Sequence, residues 1–182
     1  HLVDHYHAEL AAKEALPAPL SVQEPVQFEA VRFGDTKEGT FAMRVHPSLR
    51  VDGKVATGDL RNSEGDHGKA VWGKRARWIA DHGVVEGQPV GVAMFDHPGN
   101  LRHPTWWHAR NYGLLAANPF GVHDFERKAK GAGDFLIEEG ESLTLCYRVV
   151  FYGAGWDDAR MEAAYQEWAK VPQPQLKALL DV

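Results

Sequence analysis

The chain has 182 residues, of which 44% are apolar and 25% charged, with a net charge of -5. That balance fits a globular domain. It provides no basic footprint for nucleic acid, and an acidic surface also repels anionic lipid. No uncharged apolar run approaches the roughly 18 residues of a membrane-crossing helix. The longest, Leu143 to Tyr152, is interrupted by Arg148 and has the length of a strand. Neither nucleic acid nor membrane is therefore an expected partner; a small molecule or an oligosaccharide is expected instead from the Trp, His and Arg pattern of Phe95 to Gly121. No basic region followed by an apolar one follows His1, so no signal peptide is visible. The sequence fixes neither oligomeric state, cofactor nor compartment. The single cysteine, Cys146, has no internal disulfide partner and reads as a buried strand residue.

In chain order, His1 to Ala15 is alanine-rich and fits a short helix. Pro17, Pro19 and Pro25 make Leu16 to Pro25 an extended connector. Val26 to Gly34 has an imperfect alternation that predicts a strand. Asp35 to Gly39 reads as a hairpin-type loop, with Thr40 to Val45 returning as the next strand. Leu49 to Val55 crosses a turn at Asp52-Gly53. Gly58 to Lys69 is rich in Gly, Asp, Asn and Ser and reads as a loop. Ala70 to His82 is a strand with an irregular start. Pro89 to Asp96 and Ser142 to Tyr152 are the clearest strands.

One helix is predicted near the C-terminus. Asp157 and Asp158 suit its first turn, where carboxylates meet free N–H groups and the positive end of the dipole. Met161, Ala164, Tyr165 and Trp168 then form one apolar stripe, and Pro172 and Pro174 stop the helix. The fold class is mainly β: an antiparallel β-sandwich with this one C-terminal helix packed on an end or edge of the sheets. The expected organisation is an N-terminal extension over 1–25, the sandwich over 26–155 and the helix over 156–182.

The segment Phe95 to Gly121 (FDHPGNLRHPTWWHARNYGLLAANPFG) is the candidate functional centre. It combines Asp96, His97, Arg102, His103, Trp106, Trp107, His108, Arg110, Asn111, Tyr112 and Asn118. Pro98 and Pro104 hold the preceding histidines in extended backbone. Neighbouring tryptophans on a strand point to opposite faces, so one indole is free to line a pocket while the other enters the core. The alternative puts both in the core. An exposed indole suits the C–H face of a sugar ring. His97, His103 and His108 lack the i, i+4 spacing of a helical zinc pair and there is no HExxH. A His/carboxylate site with Asp96 is the metal reading, and satisfied structural histidines are the bland one. Asp35, Glu38 and Glu64 are acid/base candidates in polar loops, although turn carboxylates are commonly just solvated. Lys74 and Arg75 suit an anionic substrate group or a sheet edge. No phosphate loop, GxGxxG or GxSxG motif occurs.

The strings FGDTKEGTFAMRVHPSLRV, NSEG (Asn62 to Gly65), WGKRARW and the Phe95–Gly121 segment resemble a bacterial family labelled "PmoA" or "methane oxygenase PmoA", over about Val26 to Tyr152. The methane monooxygenase subunit of that name is a membrane copper protein, and methane oxidation is not expected to transfer with the label. Members of the family carry an upstream histidine-rich stretch that HLVDHYHAEL does not match, which implies a truncated or divergent start. The resemblance further implies a sandwich of the galactose-mutarotase type and a role in glycoside use. The expected function is thus a carbohydrate-active protein, an enzyme acting on a glycoside or sugar derivative. One of His97, His103 and His108 would serve as acid or base. Arg102, Trp106, Trp107, Asn118, Lys74, Arg75 and Glu64 would contact the substrate. A metal-dependent oxygenase and a non-catalytic sugar-binding module are the alternatives.

Overall fold

The computed structural model describes residues 29–173. The helix expected over His1 to Ala15, the connector Leu16 to Pro25, the start of the strand at Val26 and Pro174 lie outside the described residues. Among the described residues the fold is mainly β, as expected. Nine strands form three antiparallel sheets: β1 (Val31–Phe33), β2 (Phe41–Arg44), β3 (Asp59–Asn62), β4 (Trp78–Val85), β5 (Gln88–Asp96), β6 (Trp106–Trp107), β7 (Leu114–Asn118), β8 (Phe135–Ile137) and β9 (Tyr147–Tyr152). The sheet orders are β3-β4-β5-β9, β2-β7-β6 and β1-β8. Two helices join them, α1 (Val122–Glu126) and α2 (Asp158–Ala169). No helix among the described residues is long and apolar enough to cross a membrane.

The four-stranded sheet is the frame, and each of its faces has its own core. Leu60, Ile79, Val92 and Met94 point to one face and pack with Leu115, Ala117 and Trp107 of the three-stranded sheet. Trp78, Ala80, Ala93 and Phe95 point to the other and pack with Met161, Tyr165 and Trp168 of α2. This is the period-2 alternation of a strand buried on both sides. Burying each large side chain contributes roughly 1.5–3 kcal/mol. The helix forms as predicted: Asp157 accepts a hydrogen bond from the Arg160 amide at 2.8 Å, and the buried stripe faces the sheet. It packs over the Trp78, Ala80, Ala93 and Phe95 end of that face and leaves the Asp59–His82 end uncovered.

Three expectations need correction. Asp35 to Gly39 does not close a hairpin, because β1 pairs with β8 and β2 with β7. The loop is tied outward instead. Asp35 accepts from the amides of His123 and Gly133, and the Thr36 carbonyl accepts from Asn118. Gly58 to Lys69 is not all loop, since Asp59–Asn62 is a strand paired with β4. Ser142 to Tyr152 is regular only from Tyr147. Just before it, the Cys146 carbonyl accepts from Asn100 Nδ2 and from the His97 amide, and the Cys146 amide donates to Asn100 Oδ1. Cys146 itself is half-buried ahead of the strand.

One buried group opposes the fold. Asp81 lies in the cross-strand row Leu60–Asp81–Val92, facing the sandwich interior. Its Oδ1 has no partner among the described residues. Burial, with a contribution from the Asp59 charge, pushes its pKa up to about 7. A carboxyl raised above its unfolded pKa supports the fold below the unfolded value and loses that support as pH rises through the folded one. Asp81→Asn is therefore expected to raise the melting temperature at pH 8 by several degrees, each kcal/mol moving Tm by roughly 2–4 °C at this size. The gain should shrink toward zero at pH 4. Thermal melts across that range check it, and a gain independent of pH would contradict the assignment.

Candidate functional site

The Phe95–Gly121 segment is ordered by internal hydrogen bonds. His97 is buried: its Nε2 is 2.7 Å from the Val171 carbonyl, and its Nδ1 accepts from the Gly99 amide at 3.0 Å. His103 Nδ1 lies 2.7 Å from Asp96 Oδ2, and its Nε2 is 3.4 Å from the Tyr165 hydroxyl. Asp96 is fully buried and also accepts from Asn100 and from the Thr105 amide. His108 is buried, with Nδ1 2.6 Å from the Lys37 carbonyl and Nε2 accepting from Arg110 Nε at 3.0 Å. The three histidines are thus held by three separate sets of partners.

The expected substrate contacts mostly serve the scaffold as well. Arg102, in the left-handed region at φ 56°, donates to the carbonyls of Pro119, Gly133 and Asp134. Both tryptophans are buried: Trp107 donates to the Ala76 carbonyl, and Trp106 lies under the Arg75 guanidinium at 4.6 Å. Arg75 spends its donors on the carbonyls of Arg102, His103 and Pro104. Asn118 is fully buried, accepts from the Phe120 and Gly121 amides and donates to the Thr36 carbonyl. Glu64 is exposed, 3.4 Å from Arg77, and Glu38 is an exposed neighbour of Lys37. Lys74 is exposed. Among the described residues no group of three or more His, Cys, Asp or Glu side chains is placed to hold a metal ion.

The densest set of chemically capable groups lies on the face of the four-stranded sheet that carries α2. A cleft of about 630 Å³ is lined there by Asp59, Arg61, His67, His82, Tyr152, Trp156 and Asp158, among others. The register builds it: Asp59, His82, Gly91 and Tyr152 form one cross-strand row. The Tyr152 ring lies over Gly91, where an added Cβ would collide with it, so this position requires glycine.

Arg61 is buried at the floor of the cleft. Its Nε lies 2.7 Å from Asp158 Oδ1, its NH1 is 2.7 Å from His82 Nδ1 and its NH2 donates to the Trp156 carbonyl at 3.1 Å. Asp59 Oδ2 is 3.8 Å from the same guanidinium. His67 reaches in from a 3-10 turn, with Nδ1 3.0 Å from Asp59 Oδ1.

These contacts set the tautomers. A guanidinium only donates, so His82 Nδ1 is the accepting nitrogen and the neutral ring carries its proton on Nε2. A carboxylate only accepts, so His67 donates from Nδ1 and its neutral form keeps the Nε2 lone pair. Burial, and then the Arg61 charge, lowers the His82 pKa from its ordinary value and keeps the ring neutral at neutral pH. The cleft therefore presents one imidazole N–H, one imidazole lone pair and two exposed carboxylates within a single hydrogen-bonded cluster.

The sequence reading missed this cluster. Asp59 and Arg61 fell inside a stretch read as loop, and Asp158 was assigned only to the helix dipole. The available signal was the alternation of Asp59 and Arg61 with the buried Leu60 and Asn62, echoed by His82 across the strand pair.

The model of a family of unknown function, DUF6807, matches residues 20–166. No curated protein and no solved structure matches the chain. The matching family corrects the earlier resemblance, because nothing in these findings indicates a PmoA or methane oxygenase domain.

His108 provides a pH test of the segment's structural role. Burial lowers its pKa below the ordinary histidine value. For a histidine lowered in the fold, the unfolded chain takes the proton first, so stability is lost as pH falls from about 6.5 toward the folded pKa. His108→Asn keeps a donor for the Lys37 carbonyl and removes the titration. The variant should be less stable than wild type at pH 7.5, with the gap narrowing by pH 5 in thermal melts. A constant gap would contradict a buried neutral His108.

Proposed function

We propose that this chain, which belongs to the DUF6807 family of unknown function, is a carbohydrate-active enzyme that works by histidine-assisted acid/base chemistry in the Arg61 cleft. The observation that carries the reading is the pair of imidazoles in opposite tautomers, one held by Asp59 and one by Arg61. A carboxylate that fixes Nδ1–H and leaves Nε2 open is the arrangement by which a histidine becomes an oriented general base. His67 is the base in this scheme, taking a proton from a substrate hydroxyl or from water. His82 Nε2–H donates to a substrate oxygen without needing to be charged.

The cleft also suits polyhydroxylated ligands. Vicinal hydroxyls pair well with carboxylate oxygens, and Asp59 and Asp158 both expose theirs. The wall formed by Tyr152 and Trp156, whose ring centroids are 5.2 Å apart with Arg160 over the indole, offers apolar ring edges to the C–H groups of a sugar. Arg61 holds the wall and the carboxylates at a fixed spacing. It is a positioning residue: NH1 and NH2 are hydrogen-bonded to His82 and to the Trp156 carbonyl, and Nε is ion-paired with Asp158.

A glycan panel with mass detection tests the reading. Wild type should convert at least one glycoside or sugar derivative. His67→Gln should lower kcat by roughly 10²-fold or more, the usual worth of a positioned general base, with the melting temperature unchanged because His67 is exposed. Retention of a glycan without any product would assign a sugar-binding module instead. Turnover indifferent to both His67→Gln and His82→Gln would remove the cleft from the chemistry.

A further inference from the structure

A second cleft, of about 330 Å³, is lined by Asp52, Lys69, Trp72, Arg110, Asn111 and Tyr112. The 3-10 turn Gly68–Val71 adjoins both clefts: its N-cap His67 lines the first and Lys69 lines the second. Arg110 is held in two ways. Its Nε donates to the buried His108, and its guanidinium stacks over Trp72 with 4.8 Å from Cζ to the ring centroid. Among the described residues Arg110 hydrogen-bonds through Nε, which leaves its terminal nitrogens and the exposed Lys69 ammonium to line the cleft. Two polar atoms of lining residues, Trp72 Nε1 and Asn111 Oδ1, are buried and without a partner among the described residues. Both atoms are shielded from the cleft, so its ligand chemistry rests on the Arg110 and Lys69 cations.

From this we infer that the second cleft binds a sugar residue bearing a carboxylate, with the anion on Arg110 and Lys69 and the ring against the exposed Tyr112, which carries Arg44 on one face. A fixed guanidinium presents a planar pair of donors that matches a carboxylate. Asp52, which accepts from Asn111 at 3.1 Å, supplies an acceptor for a ring hydroxyl. The anion chemistry stands on Arg110 and Lys69 alone, whereas the sugar scaffold rests on the carbohydrate reading above.

The test is titration of the full chain with D-glucuronate, D-glucose, glucose 6-sulfate and acetate, followed by calorimetry or by NMR of the arginine and indole N–H groups. Glucuronate should bind at least tenfold more tightly than glucose or acetate. Lys69→Gln, a change at an exposed side chain, should weaken it at least fivefold with an unchanged melt, and Arg110→Gln should weaken it further. Equal binding of glucuronate and acetate, or indifference to both substitutions, would overturn the inference. Tighter binding of the 6-sulfate would overturn the carboxylate assignment. Glycan turnover that depends on His67, together with no glucuronate binding, would remove this cleft and leave the proposed function intact. Lys69-dependent glucuronate binding without any glycan turnover would do the reverse.

Discussion

A buried guanidinium organises one side of this protein. Arg61 projects from β3 onto the helix-bearing face of the sheet, where little water reaches it. A charge removed from water must be paired and hydrogen-bonded or it destabilises the fold by several kcal/mol. Its partners come from three separate stretches of chain: His82 from β4 and the Trp156 carbonyl from the connection after β9 accept hydrogen bonds, and Asp158 from the first turn of α2 is the ion-pair partner of Nε, which has no aligned hydrogen bond. The same contacts that pair Arg61 fix the start of α2 over the sheet and set the tautomer of His82. The cleft is the space left above this cluster, so its shape follows from the need to satisfy one cation.

The other side of the sheet follows the same rule with backbone acceptors. Asp96, Arg102, His108 and Asn118 sit in or near the junction of the sheets, and each is used to hold a loop. This explains why Phe95 to Gly121 resembles an active site in composition. Loops threaded through a sandwich leave many backbone groups to satisfy, and polar side chains that satisfy them look, in one dimension, like a catalytic cluster. Of that segment, Ala109, Arg110, Asn111 and Tyr112 line the second cleft, and His97 lines a further pocket of about 350 Å³ beside Cys146, Trp168 and Val171.

Features that depend on local pattern were legible in the sequence. The cap at Asp157 and the Met161–Tyr165–Trp168 stripe specified α2, and the apolar run to Phe95 specified β5. The mainly β class followed from strand length and turn chemistry. The Arg61 cleft was not legible, because it depends on register. Asp59 and His82 meet only because β3 and β4 pair in that alignment, and neither residue is distinctive within its own stretch. The false hairpin at Asp35 has a related cause. Its turn residues are locally adequate, but Asp35 finds acceptor duty at His123 and Gly133, far along the chain.

The central claim is electrostatic: Arg61 and Asp59 impose opposite proton positions on two histidines facing one cleft. Long-range 1H–15N correlation spectra of the imidazoles at neutral pH measure this directly. The account predicts that neutral His82 has its proton on Nε2 and His67 on Nδ1, and that Asp59→Ala, which leaves no acceptor, removes the preference of His67. If His67 instead carries its proton on Nε2, or shows the same tautomer mixture with and without the Asp59 carboxylate, the cleft lacks an oriented base and the account fails.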